Sequence, residues 1–240
     1  MISIILYPIS IIPVILIYFW IKKTVYKDDE HKVMAKKALI NGFKSVIPAL
    51  IIGALLLIIQ KVVFKDQSIA GTFYYTFFVL ALPEELAKAF MFERLIKKQD
   101  GAFSWLDITI YMVFVAIGFD ILESAIYAVG ASPLEIIIRG VTCPHLGYGF
   151  IMGYLIGKAK KECKRLYYIP AFVIPWILHG SYDFSVKYEA TQTDYAIMYT
   201  ALGLAVVSLV LTIAFVVFTI RAQNNQKYTE VICHESEGLK

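Results

Sequence analysis

The chain has 240 residues, of which 59% are hydrophobic and 18% charged, with a formal net charge of +4 and a mean hydropathy of +0.67. That composition excludes a soluble globular domain of this size and points to a polytopic, all-α membrane protein. The basic surplus requires no nucleic-acid partner, because the sidedness of membrane loops accounts for it once the spans are placed.

Seven apolar stretches are long enough to cross ~30 Å of hydrocarbon at about 20 residues each. They are Ile2–Ile21, Leu39–Gln60, Gly71–Phe92, Trp105–Val129, Pro133–Gly157, Leu166–Val186 and Asp194–Ile220. They predict one helical bundle over residues 1–222, with its polar residues on the helices of about 71–187, and a polar tail at 223–240. With the N-terminus outside, the cytoplasmic segments hold 17 of the 23 basic residues. The outer loops hold three, Lys61, Lys65 and Lys187. That asymmetry predicts an odd number of spans and a cytoplasmic C-terminus. The first stretch lacks a basic leader and a small-residue cleavage site, so it reads as an uncleaved anchor. Cys143, Cys163 and Cys233 fall in helical or inner positions, which argues against a disulfide framework.

The first two stretches read as scaffold, and Lys27–Lys32 between them as a solvated charge cluster that includes His31. The third contains Leu82-Pro83-Glu84-Glu85-Leu86-Ala87-Lys88. A charged residue at a membrane helix centre costs roughly 2.5–3.5 kcal/mol on insertion scales, so two adjacent carboxylates need a partner or a task. Lys88, four residues after Glu84, is expected to neutralise it, and Pro83 to kink the helix. A packing ion pair and a working site are both open at this point.

Further polar residues follow. In the fourth stretch Asp120 and Glu123 share a face, with Tyr127 one turn on. In the fifth, Arg139, Thr142 and His145 lie at i, i+3 and i+6, and Gly149, Gly153 and Gly157 repeat every four residues, which favours close helix packing. In the sixth, His179 and Asp183 are four apart, so the carboxylate is placed to orient the imidazole. The seventh is uncharged after Asp194 and reads as scaffold. At ~1.5 Å per residue, Glu84 lies roughly 20 Å from the outer boundary, Glu123 roughly 10 Å, His145 roughly 16–18 Å and His179 about 10–12 Å. These depths form one layer outward of the midplane. Pro83, Pro144 and Pro175 predict broken helices there, and irregular backbone at membrane depth must line water or protein. Two glutamates and two histidines in one layer also form a metal-site inventory.

These residues resemble a known motif series. Glu84-Glu85-x-x-Lys88, Phe119-x-x-x-Glu123, the Arg139…His145 stretch and His179-x-x-x-Asp183 look like the motifs of the PrsW-type intramembrane proteases, relatives of the CAAX prenyl endopeptidases and their Abi counterparts. Lys88 one position earlier than the relatives' arginine, and Glu123 in place of their second-motif histidine, both match the PrsW-type branch. The resemblance implies a membrane-embedded endopeptidase of the bacterial cell membrane that cleaves a membrane-anchored substrate, an anti-sigma factor, near the extracytoplasmic side. It implies catalytic roles for Glu84 as general base and for Glu85, Lys88, Glu123 and His179. It further implies a divalent metal, Zn2+, on Glu123, His145 and His179, and supporting roles for Arg139, Asp183 and Phe119. Two other readings use the same polar layer: a proton-coupled transporter, and a non-catalytic partner-binding or immunity factor. The absence of an internal repeat counts against the transporter.

Overall fold

The computed structural model of the chain describes residues 2–26, 28–64, 68–97, 103–129, 132–192 and 195–225. Nine α-helices follow in order among these residues: α1 (Ile2–Thr24), α2 (Asp29–Val63), α3 (Ile69–Tyr74), α4 (Leu82–Lys97), α5 (Trp105–Tyr127), α6 (Pro133–Thr142), α7 (Pro144–Lys161), α8 (Tyr168–Gln192) and α9 (Tyr195–Gln223). A π-helical segment, Tyr75–Ala81, joins α3 to α4, and a 3-10 turn, Arg165–Tyr167, precedes α8. No β-strand occurs among the described residues. Asp29–Val63, Trp105–Tyr127 and Tyr199–Gln223 are long and apolar enough to cross a membrane.

The bundle is built around α5. Its side chains are buried without a break from Trp105 to Asp120. A helix that is apolar on every side belongs in the middle of a bundle. A capping box fixes its start, with Ser104 accepting from the Asp107 backbone and Asp107 reaching back to the Ser104 backbone. Helices α1, α2 and α7 pack around it. Where α2 crosses α5, a Cβ on Gly42 would lie 2.1 Å from the Val115 carbonyl oxygen, and one on Gly118 would lie 2.1 Å from that of Leu39. The glycine stripe of α7 does what its spacing predicts. Gly149, Gly153 and Gly157 face α5, and a Cβ on Gly157 would stand 2.3 Å from Trp105 Cδ1. These contacts bring the polar ends of α5 and α7 side by side.

Three expected stretches differ in detail. The fifth is two helices, not one. Cys143 lies between α6 and α7 in the left-handed region, with φ 45° and ψ 56°. The Pro144 ring disfavours α-conformation in the residue before it, so the chain breaks there. A non-glycine residue in that region costs roughly 1–2 kcal/mol. Cys143 N–H still closes α6 on the Arg139 carbonyl at 3.0 Å. Arg139 and His145 therefore belong to different helices and do not share one helical face.

The third stretch runs from Ile69 to Lys97 through the π segment, which ends with Leu82 N–H donating to Phe77 O. The Pro83 ring would collide with the carbonyl four residues back in a regular helix, and the wider turn relieves it. The second stretch begins earlier than its span. Asp28 caps α2 by accepting from His31 N–H at 2.9 Å, so the charge cluster is the first turn of a helix and not a loop. His31 is also less solvated than expected. Its ring stacks on Tyr26 at 5.0 Å, Nδ1 lies 2.8 Å from Asp28 Oδ1, and Nε2 lies 3.5 Å from Asp107 Oδ1. The two carboxylates, Asp107 foremost, raise the imidazole pKa to about 9, against the opposing effect of burial. In the seventh stretch Asp194 lies outside the described residues, as do 226–240 of the expected tail.

Candidate functional site

The first turn of α4 supplies two carboxylates with different surroundings. Glu85 and Lys88 are fully enclosed, and Lys88 Nζ donates to Glu85 Oε1 at 2.7 Å. The expected Glu84–Lys88 pair is therefore corrected to Glu85–Lys88. Spacings of three and four residues both place side chains together on a helix. Burial decides between them here, because Glu85 turns inward with Lys88. Glu84 keeps 13% of its side chain exposed, and its Oε2 lies 3.7 Å from His179 Nε2 on α8 with no hydrogen-bond partner.

His179 is held from two sides. Its Nδ1 lies 2.8 Å from Glu85 Oε1, and its Nε2 lies 3.4 Å from Asp183 Oδ2, one turn along α8. Asp183 is thus beside the imidazole as expected, but Glu85 is the closer partner. A carboxylate can only accept, so Nδ1 carries a hydrogen towards Glu85, and Nε2 faces the carboxylates of Asp183 and Glu84.

His145, at the start of α7, is engaged at both nitrogens. Lys88 Nζ lies 2.9 Å from Nδ1, and Nε2 meets Glu123 Oε2 on α5. The lysine donates to Nδ1, which puts the ring hydrogen on Nε2. The same Glu123 oxygen is bound by Arg139 Nη2 from α6. Arg139 also donates from Nε to Ser124 Oγ at 3.1 Å, lies 3.6 Å from Asp120 Oδ1, and lies with Cζ 4.8 Å from the Tyr127 ring centre. A continuous chain of contacts therefore runs His179, Glu85, Lys88, His145, Glu123, Arg139. It crosses five helices, and every member is buried or nearly so. Carboxylates, imidazoles and cations alternate along it, so each buried charge has an opposite charge or a hydrogen bond beside it.

Aromatic rings set the positions of the imidazoles. Phe119 lies 5.2 Å from His145 and receives Lys88 Nζ over its face at 4.7 Å, a cation–π contact. Two aromatic residues that the sequence reading did not select take part. Tyr148 stacks on His179 at 5.3 Å, and Trp176 Nε1 donates to Phe77 O at 2.7 Å. The second contact ties α8 to the π segment just ahead of Glu84. Both residues lie three positions from a site histidine, a spacing that places them on the same helical face.

Two sets of donor atoms converge to within 4.8 Å: Glu84, His145 and His179, and Asp120, Glu123 and His145. The grouping Glu123–His145–His179, expected from the resemblance, is split between these two sets, and His145 is common to both. The first set fits a divalent ion. It has one carboxylate and two imidazoles, the usual ligand types for catalytic zinc, and the buried Glu84 Oε2 has no partner. Ligation by His145 would exchange one of its two present contacts.

The sequence profile of the family described as "PrsW family intramembrane metalloprotease" matches residues 30–219. Among curated proteins, "Protease PrsW" of Clostridioides difficile (strain 630) is 31% identical over 198 residues, covering 77% of this chain and 80% of its own. "Protease PrsW" of Oceanobacillus iheyensis is 31% identical, covering 59% and 70%. "Protease PrsW" of Bacillus subtilis (strain 168) is 28% identical, covering 71% and 76%. No solved structure gives a significant match.

Proposed function

We propose, from the premise that this chain belongs to the PrsW family of intramembrane metalloproteases, that it hydrolyses a peptide bond of a membrane-anchored anti-sigma factor on the extracytoplasmic side of a bacterial cell membrane. The observation that carries this reading is Glu84 Oε2, a buried carboxylate oxygen without a hydrogen-bond partner, standing 3.7 Å from His179 Nε2. A polar group left unpaired in such surroundings costs ~1–3 kcal/mol, so it is kept for a task. Glu84 is the general base, taking a proton from the attacking water with one carboxylate oxygen and leaving the other for an ion. Glu85 and Lys88 hold the rings of His179 and His145 in place, with Nε2 of His179 turned to the site. Glu84, His145 and His179 are the residues that would hold a zinc ion; when bound, such an ion lowers the pKa of a water towards ~7 and polarises a carbonyl. Asp183 and Tyr148 keep the His179 ring in place, and Phe119 backs His145.

The chain crosses the membrane seven times as one domain, with the N-terminus outside and the C-terminus in the cytoplasm, in keeping with the basic-residue asymmetry. The third and sixth crossings supply α4 and α8, and α6 with α7 make up the fifth. Arg139 braces Glu123 beside the site. Replacing Glu84 with Gln tests the reading. A membrane-anchored regulator should accumulate uncut while the variant protein stays folded in the membrane. Normal processing by the variant would exclude Glu84 as the base.

A further inference from the structure

The two converging donor sets are not equivalent, because one of them already contains a cation. Arg139 Nη2 is bonded to Glu123 Oε2, lies 3.1 Å from His145 Nε2 and lies 3.6 Å from Asp120 Oδ1. One guanidinium nitrogen therefore stands among all three donors of the Asp120–Glu123–His145 set. Arg139 is fixed there by Ser124 and by the Tyr127 ring. The Asp120 side chain is 5% exposed, and its Oδ1 has no hydrogen bond, so the set retains an unpartnered acceptor aimed at the cation. In the Glu84–His145–His179 set a cation contacts His145 alone. That cation, Lys88, binds Glu85 Oε1 and the Nδ1 edge of His145.

We infer that Arg139 is the resident cation of the Asp120–Glu123–His145 set and keeps divalent metal out of it, so that an ion is directed to Glu84, His145 and His179. The inference rests on the metal-dependent reading above for the second half of that statement only. Two carboxylates and an imidazole bind a hard or borderline divalent ion well. An ion placed there would take His145 away from the set that contains Glu84. A guanidinium stays charged at every accessible pH and cannot act as a ligand. It therefore remains a counter-charge beside both acids without competing for His145 as a metal would.

The test is metal content, read apart from activity. Wild-type protein, R139Q, R139K and H179A, with R139Q/H179A, are purified in detergent, loaded with zinc, freed of excess and assayed for zinc per folded chain. The expected result is one equivalent in wild type and R139K, none in H179A, and a bound ion in R139Q/H179A. R139M serves as a second neutral replacement where R139Q does not fold. X-ray absorption of the wild-type zinc site supplies a measurement that needs no variant: two imidazoles are expected, from His145 and His179, and a single imidazole would overturn the inference. Absence of zinc from R139Q/H179A and from R139M/H179A, when either is folded, would also overturn it. If wild type holds no zinc while R139Q does, the metal reading of the catalytic set fails, but exclusion by Arg139 stands.

Discussion

Lys88→Met removes the central cation of the buried chain. Lys88 Nζ is 2.7 Å from Glu85 Oε1 and 2.9 Å from His145 Nδ1, and both partners of the ion pair are 1% exposed. Breaking a buried pair from one side costs ~3–5 kcal/mol, because the remaining charge stays desolvated. The folding equilibrium should shift by roughly a hundred- to a few-thousand-fold at 1.4 kcal/mol per decade. That is a large part of the ~5–15 kcal/mol that holds a typical protein folded. The assay is denaturant or thermal unfolding of purified protein in detergent, run as a double-mutant cycle. E85Q should restore most of the stability lost in K88M, since it removes the orphaned charge while its amide oxygen still accepts from His179. E84Q should restore little. Rescue by E84Q and not by E85Q, or a K88M protein as stable as wild type, would refute the assigned pairing.

Other predictions follow from the packing, the first turn of α2 and the expected sidedness. Gly118→Leu would drive its side chain onto the Leu39 backbone and should destabilise by at least ~1–3 kcal/mol, whereas Gly203→Leu, with open space around it, should be nearly neutral by the same unfolding assay. His31 lies in the first turn of α2, ahead of the apolar span, and its folded pKa of about 9 exceeds the ordinary 6.5. Its stabilising contribution should therefore be complete below 6.5 and disappear as pH rises towards about 9. Melting temperatures of wild type and H31Q should converge across that window; parallel curves would refute the assigned partners. Reporter fusions after Lys98 and after Arg165 should report cytoplasm, and fusions after Gln67 and after Lys187 should report outside. An outside signal at Lys98 would contradict the seven-crossing arrangement.

Much of this arrangement was legible in the chain. Hydrophobic runs gave an all-helical bundle, and the cost of burying Glu84, Glu85, Lys88, Glu123, His145 and His179 singled out the residues that come together. The glycine period of α7 also foretold its close packing, though not that α5 is the partner. Partner choice was not legible. Helical spacing allows Lys88 to reach either glutamate, and only the inward turn of Glu85 decides the matter. The break ahead of Pro144 was legible, but the flanking residues are apolar enough that its two helices read as one span. Pro144 signalled the break, but not the left-handed conformation of Cys143 before it. Tyr148 and Trp176 were hidden by abundance, among 16 Tyr, 16 Phe and three Trp that mostly serve packing.

The most direct test of the central claim is cleavage by the purified protein in vesicles carrying a single-span, membrane-anchored substrate, with the products mapped by mass spectrometry. Wild type should cut on the extracytoplasmic side of the substrate's span, and folded E84Q should leave the substrate whole. A cut on the cytoplasmic side, or cleavage by E84Q at the wild-type rate, would contradict the account.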